Sequence, residues 1–379
     1  MQAAASAAVL TPPVAASFLL QRLQLPTASV GMFVALIYLA ATFASPLGAQ
    51  WVRRFGPIRS SQLALVVISL GLALVAIPST PLTMLGALLI GAGYGPITPA
   101  SSQMLSRTTP LEHYALVFSI KQTGVPLGGV IAGLMIPPLL VAGGAVAAML
   151  GTSALCLLAA ASAVPLRQAL DASRVRDSPW MNLQSLIAPA RFVFDHPVLR
   201  RLAASTTVLS IVQISFTAYL VTFLIQDWRW SLLQAGAALS AAQVAGVIGR
   251  IGWGMLSDRW LGARRTLFVL SLVMALCGIG MAVIDSSMPV LPIVLLCVYG
   301  ATAVGWNGVY LATVARVVTQ AQAATATAGS LMFTFLGVVV GPPIFGLIGQ
   351  WSGSLALAYA LLAVPLTGVL WVMRRGVWA

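Results

Sequence analysis

Two side chains in this 379-residue chain carry charge where charge is expensive, and both are cations: Arg250 in the apolar run GVIGRIGWGML, and Lys121 in SIKQTGVPLGG. A cation within a bilayer-length apolar segment costs several kcal/mol unless it faces protein or a water-filled cavity. All seven acidic residues, Glu112, Asp171, Asp177, Asp195, Asp227, Asp258 and Asp285, fall between the apolar runs, as do His113 and His196. A buried cation with no carboxylate in any run calls for an anion from elsewhere. The chemistry expected is capture of a carboxylate or similar oxyanion, with arginine supplying a two-pronged fit and lysine a point charge. Proton transfer along a chain of carboxylates is disfavoured. Gln243 lies seven residues before Arg250, Gln122 follows Lys121, and Trp306, Asn307 and Tyr310 crowd another apolar run. Gln243, Gln122, Asn307 and Tyr310 are candidate ligand contacts. Like Tyr38, Thr98, Gln213 and Tyr219, they also read as interhelical hydrogen bonds. The plain alternative for the two cations is that each snorkels toward the membrane surface along its own stem.

The elements that must hold these residues follow from composition. With 59% hydrophobic residues, 7% charged and a mean hydropathy of +0.98, the chain departs from soluble domains, which carry about 25% charge. A spanning helix needs about 20 apolar residues. Runs 1–21 and 23–52 give one helix each. Run 60–106 gives two, hinged at Pro78 to Pro81, and run 114–166 gives two more around Pro137, Pro138, Gly143 and Gly144. The first run has no basic segment ahead of it and reads as a membrane helix rather than a signal peptide. Residues 167–201 turn polar, and Trp180, Met181, Leu183, Leu186 and Ile187 recur there at helical spacing, suggesting a helix on the membrane surface. Six more helices follow in 202–226, 230–257, 266–284, 286–315 and, as a pair, 317–373. The expected fold is an all-α membrane protein of twelve transmembrane helices: a six-helix bundle over 1–166, a cytoplasmic linker over 167–201, and a second bundle over 202–379.

Arginine placement sets the orientation. Alternate connections collect 16 of the 20 basic residues, among them Arg53, Arg54, Arg59, Arg107, Arg167, Arg174, Arg176, Arg316, Arg374 and Arg375, whereas the opposite set holds Arg22 and Arg229. This is the positive-inside pattern. It puts both termini in the cytoplasm and accounts for the net charge of +13 without a nucleic-acid partner. Cys156, Cys277 and Cys297 lie in apolar runs and read as inert thiols. No metal-ligand set, phosphate loop or nucleophile–base pairing is visible, so neither an enzyme nor a cofactor is expected. The partners expected of this chain, read as a monomer, are a small-molecule substrate and the bilayer.

Gly246, Arg250 and Gly254 recur along one helix face, and the glycines admit a close neighbour beside the charge. The order Gly254, Asp258, Arg259, Gly262, Arg264, Arg265 then resembles the G-x-x-x-D-R-x-G-R-R loop signature of the major facilitator superfamily of secondary transporters. One extra residue precedes Gly262 and another precedes the arginine pair. The two halves also share G-x-P-x-x-G, in Gly124, Pro126 and Gly129 and again in Gly341, Pro343 and Gly346. The resemblance covers the whole chain. It implies two pseudo-symmetric bundles that rock to alternate access around a site near mid-membrane. GRIGWGMLSDR is similar to the eighth helix of the monocarboxylate and oxalate/formate branches, where an arginine at this place is linked to anionic substrate. SIKQTGVPLGG is similar to the cyanate and nitroimidazole transporter-like branch. Asp258, Arg259, Arg264 and Gly254 become gating residues, with the Asp258 carboxylate meeting the positive end of the fifth helix.

Three features depart from the family pattern. Arg53 replaces the first-half loop aspartate, Ala87 stands where proton-driven antiporters carry a fourth-helix arginine, and the first helix starts at Met1 with Pro12 and Pro13 inside it. The functions left open are transport of a small anion such as a monocarboxylate across an inner or plasma membrane, efflux of drug-like solutes, and a non-transporting membrane sensor.

Overall fold

The computed structural model describes residues 1–108, 120–172, 184–284, 288, 290–319 and 322–374. Glu112, His113, Arg174, Arg176, Asp177, Trp180, Met181, Leu183, Asp285 and Arg375 lie outside them. The described chain is helical, without a strand. Among the described residues, eight helices are long and apolar enough to cross a bilayer, and two of these, 120–170 and 232–283, run to 51 and 52 residues. Each is more than twice the requirement of about 20 and makes two crossings. A pair bent by 52°, Gln2–Val14 with Ala16–Leu23, supplies another span, and Ser29–Phe55 the last. The fold is the all-α, twelve-span arrangement expected from the sequence. By contacts the described residues form two compact units, one of residues 1–26 and 32–183, the other of 27–31 and 184–379.

In the first unit, the bend in span one falls two residues after Pro12 and Pro13, whose rings remove backbone donors and crowd the preceding turn. Spans three (Pro57–Val75) and four (Thr80–Thr108) press together backbone to backbone. A Cβ on Gly71 would sit 2.7 Å from the Gly86 carbonyl, and one on Gly86 would sit 2.6 Å from the Gly71 carbonyl. Spans five and six form one 39-residue helix, Gly124–Ser162, broken where Gly143 and Gly144 leave helical geometry. Hydroxyls join the spans where lipid offers no partner: Thr11 meets Thr152 at 3.1 Å, and Ser69 and Ser153 each donate to the other's carbonyl.

Asp171 lies between the apolar runs, as the sequence reading has it, but it is not a solvated charge. It is 5% exposed, and its carboxylate accepts from the backbone N–H groups of Ile58 and Arg59, at 2.8 and 3.1 Å. It thereby caps the first turn of span three.

In the second unit, span seven begins at Pro197 rather than at 202. His196 accepts from Leu199 N–H as the N-cap and Pro197 fixes the first turn, so Arg200 and Arg201 belong to the span, not to a linker. Span eight (Leu232–Leu256) opens on a reciprocal capping box between Ser231 and Gln234. Span nine is Gly262–Val283, and span ten is split into Leu291–Ala303 and Asn307–Val317. Spans eleven (Ala323–Ser352) and twelve (Leu355–Leu361 with Ala363–Arg374) complete the unit. A shorter helix, Gln184–Asp195, covers the start of span eleven, where a Cβ on Gly329 would lie 2.1 Å from the Pro189 carbonyl and 2.7 Å from Val193.

Candidate functional site

The break in span ten gathers most of the candidate residues of the second unit. Val304, Gly305 and Trp306 separate the two helical pieces, and Gly305 N–H donates to Thr302 O. Broken backbone in a membrane needs new partners for the groups it frees. Span eight supplies two: Arg250 Nε donates to Val304 O at 2.9 Å, and Trp253 Nε1 donates to Ala301 O at 3.1 Å. Glycines permit this approach. A Cβ on Gly249 would sit 2.2 Å from the Ala301 carbonyl, and one on Gly300 would sit 2.1 Å from that of Ala242. Gly246 likewise packs against Val304, whereas nothing lies within 4 Å of a Cβ at Gly254. Among the described residues, the close helix contact expected at Gly254 is therefore absent.

Asn307 opens the second half of span ten, its Nδ2 donating to Gln213 Oε1 of span seven at 3.1 Å and to Val304 O at 3.4 Å. Tyr310, one turn on, is buried beside Trp306, with ring centroids 5.6 Å apart. Among the described residues, neither the Tyr310 hydroxyl nor Trp306 Nε1 has a hydrogen bond of ordinary length. Gln243 is buried about two turns before Arg250 on span eight. The structure thus brings Arg250, Asn307 and Tyr310 to one helix break. Three contributors passed unranked in the sequence reading: Gln213, Trp253 and the Val304 carbonyl.

In the first unit, Lys121 occupies the first described turn of span five. Its Nζ donates to Ser102 Oγ at 2.8 Å and to Thr98 O at 3.3 Å, both on span four. Gln122 follows it, half-buried. The two cations therefore have carbonyl and hydroxyl partners of their own, which hold them in place without supplying a counter-charge.

The segment after span eight is helix rather than loop. Ser257–Leu261 forms a π-helical turn and Gly262, at φ 72°, redirects the chain into span nine, so that Arg264 and Arg265 sit in its opening turn. Such turns accommodate an inserted residue. Asp258 Oδ1 pairs with Arg316 at 2.9 Å, and the two side chains are 63% and 61% exposed. Arg316 figured in the sequence only as one of the orienting arginines. Arg259 and Arg264 are exposed.

The profile of the Major Facilitator Superfamily matches residues 1–342. The chain belongs to that superfamily. An uncharacterized MFS-type transporter of Mycobacterium tuberculosis (strain CDC 1551 / Oshkosh) is 26% identical over 289 residues, 74% of this chain and 62% of that protein. A counterpart in strain ATCC 25618 / H37Rv is 25% identical over the same shares. The match thus spans about 62% of the length of these relatives. Monocarboxylate transporter 13 of Rattus norvegicus is 26% identical over 328 residues, 84% of this chain and 74% of that one. Among solved structures, the nucleoside transporter NupG superposes with a TM-score of 0.79 at 16% identity, covering 99% of this chain and 98% of that one. A bacterial homolog of the human lysosomal transporter Spinster, in an inward-facing and occupied conformation, gives 0.74 at 16% identity, covering 98% and 93%. These structural likenesses concern the superfamily fold.

Proposed function

We propose that this superfamily member is a secondary transporter or facilitator that moves a small organic or inorganic anion, a monocarboxylate above all, across an inner or plasma membrane by alternating access. The observation that carries the reading is Arg250, a guanidinium set within a membrane span and seated on the break of span ten. That is a place where broken helices present backbone and side-chain polar groups to a solute. Lys121 is the second cation of the reading and is contributed by the first unit. Support comes from the rat relative whose name is monocarboxylate transporter. The orientation that accompanies it has both termini and the 167–201 segment in the cytoplasm.

The test uses purified protein in detergent and in proteoliposomes. Acetate, lactate, pyruvate and oxalate are offered alongside neutral and lipophilic solutes, with thermal stabilisation and uptake as readouts. Stabilisation by at least one anion, weakened in Arg250→Lys, supports the proposal. Removing one side of a buried charged contact costs about 2 to 5 kcal/mol, roughly 30-fold to several thousand-fold in affinity. Arg250→Lys keeps the charge and loses the fork, so a smaller loss is expected. Stabilisation by lipophilic solutes alone would move efflux of drug-like compounds ahead. If no solute stabilises or moves, the sensor reading takes precedence.

A further inference from the structure

The break in span ten is held by a chain of contacts that runs through three spans of the second unit. Gly305 lies within it: a Cβ there would lie 2.2 Å from Ala301 O of its own span and, on span eight, 2.9 Å from Trp253 Cδ1 and 3.2 Å from Gly249 C. No side chain fits, so the backbone of span ten bends directly onto span eight. The Val304 carbonyl, released by the bend, accepts from Arg250 Nε at 2.9 Å and from Asn307 Nδ2 at 3.4 Å. A carbonyl oxygen has two lone pairs and a primary amide two N–H groups. Asn307 therefore donates to Val304 and also, at 3.1 Å, to Gln213 Oε1. Gln213 stands on span seven, whose helix is continuous from Pro197 to Gln226, and so offers Asn307 an acceptor on an unbroken element.

We infer that Gln213 is a positioning residue for Arg250, acting through Asn307 and the Val304 carbonyl, an assignment that rests on the reading of Arg250 as the anion's ligand. A guanidinium is planar. Holding its Nε–H on one carbonyl sets the plane in which its terminal nitrogens lie. Whatever keeps that carbonyl in place therefore sets the direction from which a carboxylate meets the fork. Gln213 supplies this by anchoring the amide that shares the Val304 oxygen, and it touches no ligand itself. The cation's placement thus depends on the packing of spans seven, eight and ten together.

The test reads the orientation of Arg250 separately from transport. Purified protein is treated with phenylglyoxal, and adducts at Arg250 and at the exposed Arg200 are followed by peptide mass spectrometry, with their rate ratio as the readout. Gln213→Met removes the acceptor at nearly constant volume, Gln213→Asn withdraws it by one methylene, and Gln213→Glu keeps an acceptor at the same reach. Loss of a neutral hydrogen bond is worth roughly threefold to tenfold. The Met and Asn variants should change the Arg250 to Arg200 ratio by about that factor, while Glu leaves it within about twofold. Pyruvate affinity by thermal shift should fall in parallel for Met and Asn. An unchanged ratio in folded Gln213→Met overturns the inference. Should that variant fail to fold, an unchanged ratio in Gln213→Asn does the same. If the ratio shifts as expected but pyruvate and the other anions neither bind nor protect Arg250 in the unmodified protein, the anion reading fails and the assignment with it, leaving only the structural coupling of Gln213 to Arg250.

Discussion

Asp171 and Ile58 stand 113 positions apart in the chain, and the carboxylate of the first accepts the backbone N–H of the second at 2.8 Å. Four N–H groups at a helix start lack intrahelical partners, and a negative charge there also meets the positive end of the helix dipole. Gly56, just before this turn, has φ 93°, and a Cβ on it would come within 2.4 Å of the Asp171 carboxyl carbon. Both the backbone conformation and the space thus require glycine. Asp171→Ala should destabilise the first unit by about 1 to 3 kcal/mol and Asp171→Asn by less, read as a lower melting temperature of the detergent-purified protein. Equal melting of all three proteins would mean the cap contributes nothing.

Glycines on spans eight and ten should separate cleanly by mutation. Gly300→Val forces a side chain toward the Ala242 carbonyl, 2.1 Å from the first added carbon, and overpacking of this kind costs about 1 to 3 kcal/mol. Gly254→Ala meets nothing within 4 Å and should leave melting unchanged or slightly raised, since alanine is the better helix former. Melting curves of the two variants side by side check the contrast.

Asp258 and Arg316 form a pair exposed by more than half on both sides, so its direct worth is at most about 1 kcal/mol and falls with salt. Asp258→Asn is therefore expected to melt like the unmodified protein. Under the proposed gating role, in which the residue biases a conformational equilibrium rather than touching solute, its effect should appear in turnover. Uptake should fall while equilibrium binding stays within a few-fold, and the exchange of the two charges, Asp258→Arg with Arg316→Asp, should restore part of the uptake. Loss of binding in the folded single variant would remove Asp258 from the gate.

The helices were legible because spanning a bilayer leaves a long, composition-only mark: runs of about 20 apolar residues need no knowledge of contacts. Gly143 and Gly144 marked the turn between spans five and six locally too, since glycine tolerates the φ of 64° at Gly144 at low cost. What stayed hidden depends on distant contacts. Asp171 reads as one more polar-segment charge until its carboxylate is seen on Ile58. Arg316 reads as one more orienting arginine until Asp258 is seen beside it. Arg250 was legible as a cation in an apolar run. Its acceptor, the Val304 carbonyl, was not, because a carbonyl carries no letter and is freed only when span ten breaks.

Topology gives a prediction independent of any solute. The two sets of connections divide the basic residues 16 to 2, and juxtamembrane arginines are retained on the cytoplasmic side. Reporter fusions after Ala379 and after Gln168 should both report cytoplasm, and one after Trp230 should report the opposite side. A non-cytoplasmic signal from either of the first two would overturn the proposed orientation.

Lys121 separates the two readings that the sequence offered, the expected ligand and the alternative of a snorkelling stem. Its ammonium is engaged by Ser102 Oγ at 2.8 Å and Thr98 O at 3.3 Å, both on span four, so the side chain fastens span five to its neighbour. A purely structural lysine should be felt in stability. Lys121→Gln would then lower the melting temperature, and Ser102→Ala would lower it too, with anion affinity untouched in both. A ligand lysine predicts a different pattern. Lys121→Gln should lose anion affinity by roughly tenfold or more, while Ser102→Ala, which removes one partner and keeps the charge, should bind anion at least as well as the unmodified protein. The second pattern is the one expected, because the ammonium carries three donors and a charge that a hydroxyl and a carbonyl do not neutralise. Thermal shifts with acetate, pyruvate and oxalate on the two variants decide between them.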